Sequence, residues 1–184
     1  WPLVAAGQQS AAAARHYLLD HARDMDFTVT AGPPGADGRM FYDDAMGMNF
    51  RTLRARLPEI FARMDAGEGR DDAHPLYIGS TDMHRFFDGL AEENRVDLSG
   101  RKTLDGIWIG TPSRIAAHND FPDNLACVAV GERRFTLFPP DQFRNLYLGP
   151  IDNTPAGRAI SMVDFHAPDF ERFPKFADAL DHAL

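Results

Sequence analysis

Arg114-Ile115-Ala116-Ala117-His118-Asn119-Asp120-Phe121-Pro122-Asp123-Asn124-Leu125-Ala126-Cys127-Val128-Ala129-Val130-Gly131-Glu132-Arg133-Arg134-Phe135-Thr136-Leu137-Phe138-Pro139-Pro140 reads as three strands, 114–118, 124–130 and 133–138. Apolar and β-branched residues alternate there between clusters of turn-forming residues. Gly131-Glu132 joins the second strand to the third so tightly that an antiparallel hairpin follows, and Pro139-Pro140 ends it. Successive strand residues face opposite sides, so His118 and Asp120 share a face while Asn119 looks away. An imidazole and a carboxylate placed in that way can hold one metal ion. They supply two corners of the 2-His-1-carboxylate arrangement that leaves open positions on non-haem Fe(II). The plainer alternative is a buried ion pair or a hydrogen-bonded surface pair.

Outward from this stretch, 107–109 reads as a further strand, with Trp108 and Phe135 assigned to the core and Cys127 to a small buried apolar position. Towards the N-terminus, Ser10 caps an Ala-rich helix running to about residue 22. Residues 27–30 form a strand, Gly32-Pro33-Pro34-Gly35 breaks it, and 39–42 returns. Residues 50–57 are ambiguous, whereas Pro58 opens a helix carrying Ile60, Phe61 and Met64. A polar loop at 67–74 precedes a strand at 76–78. Ser80 or Thr81 then caps a helix whose Met83, Phe86, Phe87 and Leu90 recur at helical spacing. After Pro140 come a short helical piece at 141–146, a strand at 160–163 and a final helix from about Asp169.

The chain has 184 residues, 44% of them hydrophobic, enough for one sizeable core. The reading is a single domain over 1–184, with a helix-and-strand region at 1–103 and the first part of a β core at 104–184. A formal charge of −8 with no Lys/Arg block argues against direct nucleic-acid contact. The single cysteine fits a reducing compartment, and a cytoplasmic location is the expectation. No apolar run is long enough for a membrane span. Trp1 stands where an initiator Met is usual, and the first residues look like the middle of an element, so the expectation is a fragment.

These residues resemble the cupin-like JmjC group of Fe(II)- and 2-oxoglutarate-dependent oxygenases, and in particular its factor-inhibiting-HIF asparaginyl hydroxylase branch. The likeness rests on Leu76-Tyr77-Ile78, Ile107-Trp108-Ile109-Gly110, His118-Asn119-Asp120, Asn124, the run from Gly131 to Phe143, Leu146-Tyr147, Val163-Asp164-Phe165 and Pro168-Asp169-Phe170-Glu171-Arg172-Phe173-Pro174. It implies a mainly β fold with flanking helices, the double-stranded β-helix or cupin jelly roll, whose mouth holds the metal. It also implies roles for the matching positions. His118 and Asp120 would be iron ligands, Tyr77 a phenol reaching the 2-oxoglutarate carboxylate, and Asn124 a polar residue near that cosubstrate. Arg133 would be the cation at the cosubstrate's far carboxylate, where guanidinium can bind bidentately. The asparaginyl hydroxylase branch has lysine there, and a hydroxyl residue where this chain has Ile115.

The family's distal ligand sits in a Trp-Trp-His segment for which this sequence has no counterpart, so the resemblance implies a fragment truncated at both ends. His166 and His182 follow Asp120 without that context. The expected activity is hydroxylation of a protein side chain or a small molecule, with succinate and CO2 as coproducts. A cupin-like module that binds a metal or a partner without turnover is the alternative if the protein ends before the distal histidine. A homodimer is compatible with the family.

Overall fold

The computed structural model describes residues 1–184. Its contacts divide into two compact units. One comprises Trp1–Met40, Asn49–Ser113 and Cys127–Glu132; the other comprises Phe41–Met48, Arg114–Ala126 and Arg133–Leu184.

The first unit is an antiparallel sheet with helices. It begins with α1 (Pro2–Gln9), which has proline in its first turn, and α2 (Ala11–His21), where the Ala13 N–H donates to Ser10 Oγ at 2.9 Å. The Ser10 cap is therefore where the sequence placed it. Then follow β1 (Asp26–Ala31), β2 (Arg51–Arg56), α3 (Leu57–Gly67), β3 (Leu76–Asp82), α4 (Met83–Phe86), α5 (Leu90–Glu93) and β4 (Gly106–Gly110). The sheet order is β2-β1-β3-β4, every pair antiparallel. Alternate residues Phe27, Val29 and Ala31 of β1 and Leu76 and Ile78 of β3 point into one core. There they meet Ala14 and Leu18 from α2 and the Leu57, Ile60, Phe61 and Met64 stripe of α3. Phe27 is closed in by the rings of Phe86 and Phe87 at 4.8 and 5.6 Å.

The strand that returns against β1 is 51–56, not 39–42, with Asp26 opposite Arg56 and Ala31 opposite Arg51. Arg51, Arg54 and Arg56 obscure its apolar alternation, which is carried only by Leu53 and Ala55. The arginines have a use: the Arg56 guanidinium lies 3.0 Å from Asp26 Oδ1 across the pair. Residues 41 and 42 instead join an apolar cluster with Ile160 in the second unit. The helix expected from Ser80 or Thr81 is two single turns. Asp82 is the cap, accepting from the N–H groups of His84 and Arg85 at 2.9 and 3.2 Å, and Gly89 at φ +71° separates α4 from α5.

The second unit has little regular structure. A 3-10 helix spans Pro140–Leu146, as 141–146 led one to expect, and α6 spans Phe176–Asp181, later than the expected start at Asp169. Pro174 delays it, because proline disfavours helical backbone in the residue before it. Asp169 instead caps a tight turn through the N–H groups of Glu171 and Arg172. Segments 147–149 and 160–162 face each other through a bridge between Leu148 and Ser161 rather than a full strand. Phe41, Tyr42 and Ile160 form one apolar cluster; Val163, Phe176 and Ala179 form another.

The strands read at 114–118, 124–130 and 133–138 are not formed: no residue from Ile115 to Thr136 lies in a ladder. Alternation supplies only one requirement of a strand, and the other is a neighbouring backbone to accept and donate its hydrogen bonds. The side chains that alternation would bury are accordingly open, with Phe121 81% and Phe135 50% exposed. Trp108, on β4, is 48% exposed, and Cys127 is exposed as well. None of these three residues, Phe135, Trp108 or Cys127, occupies the core position its apolar character suggested. No helix is long and apolar enough to cross a membrane.

Candidate metal centre

The His-x-Asp motif leaves its own unit's apolar cluster at a defined point. Ala116 packs against Phe41, Tyr42 and Ile160, and the next carbonyl, Ala117 O, accepts from the Ser161 N–H at 2.7 Å. From His118 to Val128 every residue is exposed. The backbone is thus fixed immediately before the motif, and its side chains project from that anchor.

His118 Nδ1 lies 2.9 Å from the Ala116 carbonyl. A carbonyl can only accept, so Nδ1 carries the hydrogen and, in the neutral ring, Nε2 is left with its lone pair. Nε2 faces Asp120 Oδ1 at 3.9 Å, too far for a hydrogen bond. The other carboxylate oxygen, Oδ2, accepts from Asn124 Nδ2 at 3.1 Å. Each side chain therefore uses one polar atom for orientation and presents the other to the same point. This is the arrangement that holds a metal-ligating histidine and carboxylate in place from behind. An imidazole nitrogen with an adjacent carboxylate oxygen is a donor set that suits Fe(II) and similar ions.

Of the residues singled out by sequence, the structure brings together His118, Asp120 and Asn124. Asn124, expected beside the cosubstrate, has the Asp120 carboxylate as its partner. Arg133 is exposed and its guanidinium lies over the Phe135 ring, 4.6 Å from the centroid. Tyr77 belongs to the first unit, on β3, opposite Thr30 and Gly110. Alternation sends its side chain away from the core face that Leu76 and Ile78 occupy. The ring lies along the strand where Gly79 leaves room: a Cβ there would sit 2.8 Å from Tyr77 Cε1.

Among all residues, no three His, Cys, Asp or Glu side chains are grouped closely enough to hold a metal ion. His166 stacks on Phe165 with ring centroids 4.6 Å apart, and His182 Nδ1 lies 2.7 Å from the Asp178 carbonyl. One cation near the motif was not legible in the sequence. Arg158 stacks over Phe121, the residue after Asp120, at 3.9 Å. A single arginine in a Gly/Pro-containing loop gives no periodic or motif signal.

With the fold and this pair described, comparison with known proteins places the chain. A family model described as a cupin-like domain matches residues 1–184, and the chain belongs to that family. The antiparallel sheet with flanking helices is consistent with its jelly-roll fold class. The wider grouping is the cupin-like JmjC one. The chain is 36% identical over 88 residues to JmjC domain-containing protein F of Dictyostelium discoideum, covering 41% of this chain and 19% of that protein. To JmjC domain-containing protein D of the same organism it is 36% identical over 70 residues, 38% of this chain and 15% of that protein. It is 25% identical over 134 residues to tRNA wybutosine-synthesizing protein 5 of Danio rerio, 70% of this chain and 39% of the relative. The chain thus spans well under half the length of each of these relatives, and none of their names carries the asparaginyl hydroxylase branch.

Proposed function

We propose that the protein is an Fe(II)- and 2-oxoglutarate-dependent oxygenase that hydroxylates a protein side chain or a small molecule. The observation that carries this reading is the paired orientation of His118 and Asp120. Nδ1 is engaged by Ala116 and Oδ2 by Asn124, so Nε2 and Oδ1 are turned towards each other. His118 and Asp120 would hold the iron, and a further imidazole would complete the triad. Bound iron would supply the oxidation, using dioxygen and 2-oxoglutarate and releasing succinate and CO2.

The chain's own part is to bind and orient. Arg133 would bind the far carboxylate of 2-oxoglutarate. Stacking on Phe135 uses the flat face of the guanidinium and leaves its in-plane N–H donors available for two parallel hydrogen bonds. For Tyr77, on β3, a role as a phenol donor to 2-oxoglutarate rests on the family resemblance alone. Asn124 would act one step back, holding the Asp120 carboxylate in register.

The substrate class is proposed from charge. A net charge of −8 opposes a polyanion, which favours a protein or small-molecule substrate over tRNA, although one relative is named for tRNA wybutosine synthesis. The second reading, a cupin-like module that binds metal or a partner without turnover, applies if no further ligand joins His118 and Asp120.

One assay separates them. Intact protein with Fe(II), 2-oxoglutarate and oxygen is expected to form succinate, and His118→Ala is expected to lower the rate at least about a hundredfold, as loss of a metal ligand does when chemistry depends on the metal. Metal uptake without succinate, in the presence or absence of candidate peptides and tRNA, would favour the non-catalytic module.

A further inference from the structure

His84 lies outside everything assigned so far, and both of its ring nitrogens face carboxylates. Nε2 is 2.9 Å from Asp105 Oδ2, and Nδ1 is 3.4 Å from Glu92 Oε1. The positions of these acids in the chain give the cluster its meaning. Glu92 is in α5, two residues before the loop that begins at Asn94, and Asp105 ends that loop immediately before β4. His84, on α4, therefore bridges the two sides of the loop's neck. The loop's other ties lie at its ends, where the Met83 N–H donates to the Asp105 carbonyl, the Asn94 amide is held by Leu3, Tyr17 and Leu90, and Trp1 Nε1 donates to the Arg95 carbonyl; between them, Arg101 N–H donates to the Leu98 carbonyl and Ser99 N–H to Asp97 Oδ1. Ser99 and Gly100 take positive φ at its tip, and Leu104 is 97% exposed.

We propose that His84 is an ionic clasp that tightens the neck of the 94–105 loop and slackens it when the imidazolium loses its proton. The Asp105 contact is a hydrogen bond and the Glu92 contact an ion pair, and ionised carboxylates only accept, so both are attractive together only when both ring nitrogens carry hydrogen. Deprotonation leaves one nitrogen lone pair facing an oxygen lone pair, and it leaves Glu92 and Asp105 without the charge between them. The remaining charges around the ring point the same way. Asp82, from the cap of α4, adds a third carboxylate, and the nearby cation, Arg95, acts on Asp105. The Asp105 hydrogen bond, followed by the charges of Glu92, Asp105 and Asp82, holds His84 above its ordinary value against the opposing effect of desolvation. Asp105 is correspondingly held below its own, chiefly by the His84 hydrogen bond. A raised histidine gives stability that is full below about pH 6.5, the unfolded value, and lost as pH rises through the folded value. The clasp is therefore tight in mildly acidic solution and slackens in the alkaline direction.

The loop carries Arg101 and Lys102, so trypsin reads its opening directly. Cleavage there is measured from pH 6 to pH 8.5 on the intact protein, normalised to an unstructured peptide of the same loop sequence so that the protease's own pH dependence cancels. The normalised rate is expected to rise about fivefold across the range, the factor that two exposed ion pairs of ordinary strength would supply. His84→Gln is expected to be cut at the fast rate at every pH, and Asp105→Asn to lose most of the pH dependence. His84 is 54% exposed at its side chain, so the substitution leaves the core intact, which circular dichroism checks. A flat profile in the unsubstituted protein, or an equal rise in His84→Gln, would overturn the proposal.

Discussion

At His118 and Asp120 the two atoms of each side chain have separate tasks, one facing the protein and one facing its partner. Asn124 is the residue on which this division depends, because its amide takes one carboxylate oxygen at 3.1 Å and so leaves the other to face Nε2. Asn124→Ala frees the carboxylate to rotate while keeping both donors present. The expected outcome is metal affinity weakened by about 10- to 100-fold, the usual effect of removing a residue that orients a ligand. Titration of the intact protein with Fe(II) or Mn(II) measures it, and an affinity equal to that of the unsubstituted protein would mean that Asp120 is oriented by something else.

Among the elements, the N-terminal helices show how a single buried amide ties distant parts of the chain together. Asn94, at the end of α5, accepts from the Leu3 N–H at 3.0 Å and donates to the Leu90 carbonyl and the Tyr17 hydroxyl, each at 3.0 Å. Tyr17 passes its own hydrogen to Glu93 Oε2 at 2.7 Å; burial first, and then that carboxylate, hold the phenol above its ordinary value. Asn94→Ala leaves the Leu3 N–H buried without an acceptor, and denaturant unfolding is expected to show a loss of about 1–3 kcal/mol. A change within error would show that α1 contributes nothing to the cooperative unit. Elements of this unit whose signals are local could be read from sequence: the Ser10 cap of α2, the Pro58 start and apolar stripe of α3, and the alternation of β1 and β3. Where the signal depended on a partner, it misled. β2 is hidden by arginines that make sense only opposite Asp26, and Asp88-Gly89 divides what periodicity alone presents as one helix. From 114 to 138 the alternation is unmistakable, yet it describes strands that need continuous neighbours, and these residues have only isolated backbone contacts, such as Ala117 with Ser161 and Leu137 with Leu184. The motif survives this difference because His118 and Asp120 are brought together by local hydrogen bonds rather than by a pleat. Arg158 had no local signal at all.

For the molecule as a whole, family membership and the His118–Asp120 pair point the same way. On the proposed function, a net charge of −8 suits a peptide or small-molecule substrate, and a guanidinium at Arg133 suits a dicarboxylate. These inferences all depend on His118 binding a metal through Nε2. The most direct measurement is proton NMR of the intact protein loaded with Co(II), whose unpaired electrons shift the signals of its ligands far from the rest. The predicted result is a strongly shifted, solvent-exchangeable ring N–H, the Nδ1 hydrogen held by the Ala116 carbonyl, that disappears in His118→Ala. A spectrum without such a signal, or one that His118→Ala leaves unchanged, would contradict the account.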